Sequence, residues 1–316
     1  MSAHGRPRRA ITAALLLGVV AEGGGRAGAE AQATAATRVP DRVYATDSTA
    51  APAPFGPGER LVYKLKIGIF NAGQGQMSIP ALDTVRGRDA YHIGWTIDGG
   101  FMGLGVHDKY ESWLDVRTLQ SWRFIQDIHE VRYNSFRHYE MYPDSGIWDR
   151  EDNDEFGPLA SELPLDDIAF VYFLRTLPLE VGETYTFDRY FKTEGNPVTV
   201  QVIRRDHRKT DAGEFATIVV RPIIRTKGLF GEKGKAEIHF TDDARRLPVY
   251  VKSDIPNFPG SLTLHLREIH EGVPLHPASR ASASDEGSAA PGSRPPTAGS
   301  QGPPPAGPPR GPVGRP

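Results

Sequence analysis

Ten histidines and 39 acidic residues are the side chains through which this chain could do acid–base or metal chemistry. Their spacing does not favour either. His129–Glu130 and His138–Glu140 fall in one stretch that reads as a strand, and the two histidines are nine residues apart, which puts them on opposite faces of a regular strand. His92, His107, His239 and His265 fall on separate strand or turn segments, and no His-x-Glu-x-x-His or comparable spacing occurs. The acidic run Trp148–Gly157, "WDREDNDEFG", crowds oxygen ligands of the kind calcium takes, but no glycine follows a third ligand position. It reads as a solvated loop. Gly-x-Ser-x-Gly is absent, so no nucleophile elbow is indicated, and with no cysteine there is neither a disulfide nor a thiolate site. The glycine-rich "GQGQMS" and "GGFMGLG" do not sit between a strand and a helix, as a phosphate-binding loop would. The adjacent pairs Asp166–Asp167 and Asp242–Asp243 read as cap and turn residues. The sequence therefore predicts no catalytic residue, no metal site and no cofactor, and a protein that is not an enzyme.

The elements that surround these residues are mostly strands. In "FGPGERLVYKLKIGIFNAGQGQMSI", Leu61, Tyr63, Leu65, Ile67 and Ile69 alternate with Lys64, Lys66 and Gly68, which is period-two patterning with one face buried. "NAG", Asn71–Gly73, is the expected turn before "QGQMSI" returns. Ten more strand-like stretches follow, from "AYHIGWTI" to "SLTLHLREI", separated mainly by Asp, Gly, Asn and Pro. Such frequent short strands predict a mainly β fold, a strongly curved antiparallel sheet or incomplete barrel of about eleven strands.

One segment breaks the rhythm. "DDIAFVYFLRTLPLEVGETYTF" begins with acids suited to a helix N-terminus, is apolar on nearly every side, and meets Pro178. A helix over Asp166–Leu177 is predicted, and one apolar all round should be buried. The concave face of the sheet is where it fits, either as a core plug or as the lining of a ligand cavity through Phe170 and Phe173. Arg175, the lone charge in the run, is expected at the helix edge, with its head in water or paired to a carboxylate. The loops Asp98–Gly105 and Lys227–Gly234 combine glycines with Phe101, Met102, Leu104, Leu229 and Phe230, which either fold back onto the core or form the lip of an apolar cavity or touch a membrane. These seven apolar residues are the candidate ligand-binding set.

The ends differ from the core. Arg6, Arg8 and Arg9 precede the apolar run Ala10–Ala21, with Ala-x-Ala sites near residues 27–33, the pattern of an export signal. The run is shorter than the roughly 20 residues a membrane-spanning helix needs. The predicted organisation is a signal peptide at 1–33, a linker at 34–54, a sheet domain at 55–270 and a disordered Pro/Gly-rich tail at 271–316. Residues 1–33 carry +2 and 271–316 carry +1 against a total of −2, which leaves about −5 on the core. That charge argues against a nucleic-acid partner. No further apolar run suggests a transmembrane segment in the mature chain.

As an ordered set, "FGPGERLVYKLKIGIFNAGQGQMSI", "DDIAFVYFLRTLPLEVGETYTF", "DAGEFATIVVRP" and "IHFTDDARRLPVYVKSDIPNFPGSLTLHL" resemble the bacterial domain of unknown function 3108 from about Phe55 to Leu266. The resemblance implies an exported envelope protein and a fold similar to lipoprotein-localisation carriers, whose incomplete barrel is closed by helices. It brings no catalytic residues, and this chain lacks the cysteine a lipidated receptor would carry. The function expected from the sequence is a periplasmic or otherwise exported carrier for a lipid, lipoprotein or other apolar envelope component, with a dry groove and a movable plug. The alternative is a scaffold that binds another envelope protein, and less favoured is a hydrolase with an unrecognised site.

Overall fold

The computed structural model describes residues 53–101, 104–130, 133–225, 236–254 and 261–275, together with the backbone of Thr37–Arg38. The strands are β1 (Thr37–Arg38), β2 (Arg60–Ile67), β3 (Phe70–Ser78), β4 (Leu82–Val85), β5 (Arg88–Phe101), β6 (Leu104–Asp115), β7 (Ser121–Glu130), β8 (Tyr133–Tyr142), β9 (Ile147–Arg150) and β10 (Phe156–Pro158). Helix α1 (Asp167–Leu174) follows, then β11 (Thr184–Phe187), β12 (Val198–Thr210), β13 (Gly213–Ile223), β14 (Glu237–Thr241), β15 (Pro248–Asp254) and β16 (Ser261–His270).

All sixteen strands form one sheet in the order β1-β11-β12-β13-β14-β15-β16-β2-β3-β5-β6-β7-β8-β9-β10, with β4 pairing beside it on β5. Every pairing is antiparallel except β1 on β11. The expected count of about eleven is too low. The four strands missed, β1, β4, β9 and β10, are two to four residues long, too short for a period-two pattern. β9 and β10 lie in and around the run read as an acidic loop.

The inward face follows the alternation. Leu61, Tyr63, Leu65 and Ile67 on β2 are buried, and they join Trp95, Ile218, Val220, Ile238, Val251 and Leu264 of other strands in one core. A single core shared by strands from across the whole order requires the sheet to wrap around it. Two local expectations are corrected here. The β2–β3 turn lies at Gly68–Ile69, with Gly68 at φ 58°, rather than at Asn71–Gly73, so Ile69 sits at the tip, 87% exposed, and leaves the buried row. His129 and His138 lie on successive strands, β7 and β8, and both face outward, because the hairpin between them reverses the chain.

The sheet does not close. Between β9 and β11 the gap is spanned by irregular chain: Leu159 N–H donates to Gly146 O (2.8 Å), Ala160 N–H to Phe191 O (3.1 Å) and Leu165 N–H to Arg189 O (2.6 Å).

All eight residues of α1 are buried inside this wrap. Asp166 caps its N-terminus: Oδ1 accepts from the amides of Ile168 (3.0 Å) and Ala169 (2.9 Å), and Oδ2 accepts from Ser112 Oγ (2.6 Å). The helix is shorter than Asp166–Leu177, because Arg175, Thr176 and Leu177 bond three residues back in a tighter turn before Pro178. Arg175 is at the helix edge as expected, paired to a carboxylate. It is nevertheless buried rather than in water, because Glu59 meets it inside the core.

Candidate functional site

Most of the inner face is apolar, and its exception lies on β6, β7 and β8. Asp108, Tyr110 and Ser112 are the inward positions of β6, where the pattern elsewhere places apolar residues. Across the ladder Tyr110 faces Gln126 and Asp108 faces Ile128, while Val106 faces Glu130. On β8, Arg137 lies opposite Gln126 and Tyr133 opposite Glu130. Arg137 Nη1 donates to Gln126 Oε1 (3.2 Å) and Nη2 to the Tyr133 hydroxyl (2.6 Å). On the other side of β6, Trp95 faces Tyr110 and Ile97 faces Asp108, so the polar patch borders an apolar wall directly.

Burial dominates the electrostatics of the patch. It pushes the Asp108 carboxyl up to about 6, although the His129 amide donates to Oδ1 (3.0 Å) and opposes the rise. Glu130 is pushed to about 8 by burial and by the charge of Asp108. The Tyr110 phenol is raised well above its ordinary value by burial and then by Asp108, Glu130 and Asp167. At the helix start Asp167 rises to about 7, first from burial and then from the neighbouring Asp166, while the Tyr190 hydroxyl, Lys192 and Arg137 pull it down.

Lys192 sits in a cage of rings, its Nζ 4.5 Å from the Trp148 ring centre, 4.6 Å from Tyr139 and 5.4 Å from Phe191. Burial lowers its pKa. Chemically the patch offers carboxyls raised by burial, phenols and cations already engaged by neighbours, beside an apolar interior.

The seven apolar residues expected at the site are placed differently. Phe170 and Phe173 are buried on α1 and both pack on Phe187, with centroids 6.3 and 5.4 Å away. The Arg189 guanidinium lies 4.5 Å over the Phe173 ring. Phe101 and Leu104 end β5 and β6 directly opposite one another, and their side chains lie outside the described residues. Met102, Leu229 and Phe230 also lie outside the described residues.

Sequence reasoning missed Asp108, Tyr110, Glu130, Arg137 and Lys192. The available signal was the inward register of "VHDKYESWLD", in which Asp108, Tyr110 and Ser112 alternate in step with Val106 and Leu114. Polar residues on the core-facing register of a strand require partners or a purpose.

An open antiparallel sheet wrapped around a capped, buried helix defines an incomplete β-barrel protein. The chain belongs to the family described as protein of unknown function (DUF3108), which matches residues 62–267. No curated protein matches it. Among solved structures, a beta-barrel-like protein of domain of unknown function DUF1849 from Brucella abortus is similar at 10% identity and TM-score 0.48, over 71% of this chain and 100% of that one. A candidate lipoprotein from Parabacteroides distasonis ATCC 8503 is similar at 10% identity and TM-score 0.32, over 70% and 100% of the two chains. A candidate exported protein with a YmcC-like fold from Bacteroides fragilis NCTC 9343 matches at 9% identity and TM-score 0.31, over 70% and 99%.

Proposed function

We propose that the protein is an exported, non-enzymatic binding module of the bacterial envelope that holds an apolar or amphipathic component against the inner face of its sheet. One observation carries this reading. The register runs without a break from an apolar wall, Met77, Trp95 and Ile97, to the polar patch of Asp108, Tyr110, Gln126 and Glu130. An amphiphile needs two such surfaces side by side. Burial of its chain is favourable by roughly 25 cal/mol per Å², and its polar end would meet the polar side chains of that patch.

Export is supported by the basic Arg6, Arg8 and Arg9 ahead of the apolar run Ala10–Ala21. Among the described residues no helix is long and apolar enough to cross a membrane. The movable plug expected of a carrier needs revision. Asp166 and Arg175 hold both ends of α1, so a ligand would bind beside the helix rather than in its place. The same fixed helix favours a second reading, an envelope scaffold that binds another protein.

The test is mass spectrometry of an organic extract of the purified native protein, together with titration of an apolar fluorescent probe. Co-purified lipid with saturable probe binding is expected. A parent protein that yields no lipid and binds no probe overturns the binding module and leaves the scaffold.

A further inference from the structure

The hairpin of β2 and β3 ends in an apolar tip that the fold does not require. Gly68 and Ile69 form its two-residue loop, between the paired residues Ile67 and Phe70. Gly68 is there for the backbone: its φ of 58° suits glycine at the first central position of a hairpin turn, while the second position accepts any side chain. Ile69 fills that second position although it is 87% exposed, the highest value among the large apolar residues described. Phe70 beside it is 57% exposed.

The surroundings of this pair are basic. Lys66 lies three residues behind Ile69 on β2, about 10 Å along a strand, and its cross-strand neighbours Asn71 and Thr263 are uncharged. Asp211, the carboxylate whose charge it feels, is already bound by Lys64 at 2.6 Å. Of the carboxylates on adjoining strands, Asp254 is engaged by Ser261 (2.9 Å) and Lys252 (3.9 Å), and Asp98 by His107 (3.1 Å). The other strongly exposed ring, Phe156 at 74%, has the opposite setting: it faces Asp149 across the β9–β10 pair and borders the acidic run.

We infer that Ile69 and Phe70 insert into an anionic lipid surface, with Lys66 at the level of the lipid phosphates. Apolar side chains set roughly 5–10 Å into the headgroup boundary leave a cation at Lys66's distance among those phosphates. A protein partner fits less well. Two side chains at a hairpin tip fall far short of the roughly 800 Å² that a stable interface buries on each partner, whereas a bilayer needs no matching shape. Binding through so small a tip is weak and reversible, because neither the apolar pair nor the single cation holds a membrane alone. The inference does not depend on the amphiphile-binding reading above.

The test is co-sedimentation of the purified native protein with vesicles of phosphatidylcholine, and of phosphatidylcholine with about one-third phosphatidylglycerol. The parent is expected to favour the anionic vesicles severalfold and to lose that preference as salt is raised. Ile69→Ser should weaken binding to them by roughly tenfold or more. Lys66→Gln should weaken it roughly fivefold and leave neutral and anionic vesicles alike. Phe156→Ser should change neither. Ile69 and Phe156 are exposed, so loss of fold does not confuse that comparison. Ile69→Trp adds an indole at the tip, and in the difference spectrum against the parent its emission should move to shorter wavelength when anionic vesicles are added. A parent that stays in the supernatant with both vesicles, an Ile69→Ser variant that sediments like the parent, or an Ile69→Trp emission that vesicles leave unmoved overturns the inference. None of these outcomes touches probe binding at the inner face, so the two readings fail separately.

Discussion

Arg175 and Glu59, 116 residues apart in sequence, close a two-pronged ion pair inside the core: Nη1 to Oε1 at 2.6 Å and Nη2 to Oε2 at 2.8 Å. The guanidinium also donates to the backbone oxygens of Pro54 (3.0 Å) and Arg245 (3.1 Å) and stacks near Phe55 and Tyr172. It thus joins the end of α1 to the chain before β2 and to the β14–β15 turn. Removing one partner leaves a charge buried alone, which costs about 3–5 kcal/mol. Arg175→Ala and Glu59→Gln should each lower stability by about that amount in urea melts. The double variant Arg175→Met/Glu59→Leu should lose less than either single change, because no orphan charge remains. Additive losses in the double variant would contradict the pairing.

Phe170 and Phe173 are both 2% exposed and share Phe187 as a partner. Truncating a buried Phe costs about 3–5 kcal/mol. Phe170→Ala and Phe173→Ala should each destabilise by that amount, measured by urea denaturation. A loss below about 1 kcal/mol in either would mean that its ring faces open space, and would return the helix to the role of a cavity wall.

Stability should depend on pH through Asp167 and His239, with opposite signs. Asp167 titrates near 7 in the folded protein against about 3.9 unfolded, so its contribution is intact at pH 4 and is lost as pH rises to 7. Asp167→Asn should therefore gain on the parent progressively over that range, by on the order of 4 kcal/mol at the top. His239 is held at about 4 by burial and then by Arg208, against about 6.5 unfolded. Its contribution is present above 6.5 and is lost as pH falls to 4, and His239→Phe should remove that acid-side loss. Thermal melts from pH 4 to 8 decide both. Parallel profiles for parent and variant would rule out the corresponding group.

Two glycines of the β3–β5 ladder should respond differently to alanine. A Cβ on Gly99 would meet Ala72 O at 2.0 Å, where only backbone is available to yield. A Cβ on Gly75 would find Thr96 O at 3.5 Å and Leu264 Cδ2 at 3.6 Å, which is ordinary contact. Gly99→Ala should cost about 1–3 kcal/mol through overpacking, and Gly75→Ala less than 1 kcal/mol. Similar melting temperatures for the two variants would show that the ladder relaxes around residue 99.

Much of the fold could be read from the chain itself. Alternation in β2 identified its buried row from Leu61 to Ile67, because a strand's period of two depends only on backbone geometry. The unbroken apolar run after Asp167 marked α1 as buried, since no orientation of such a helix leaves a polar side for water. The short strands β4, β9 and β10 were invisible for the converse reason: three or four residues carry too few alternations, and they are strands only because a neighbour offers hydrogen bonds. Arg175 shows the same division. Its sequence context marked it as the one charge that the helix must place, but Glu59 lies 116 residues away, and nothing local indicates which carboxylate will arrive. The patch on β6–β8 is the clearest case. Asp108 and Glu130 are ordinary acids in the sequence. They become diagonal inward neighbours only because the β6–β7 register turns both toward the core, and burial then raises the cost of ionising either one.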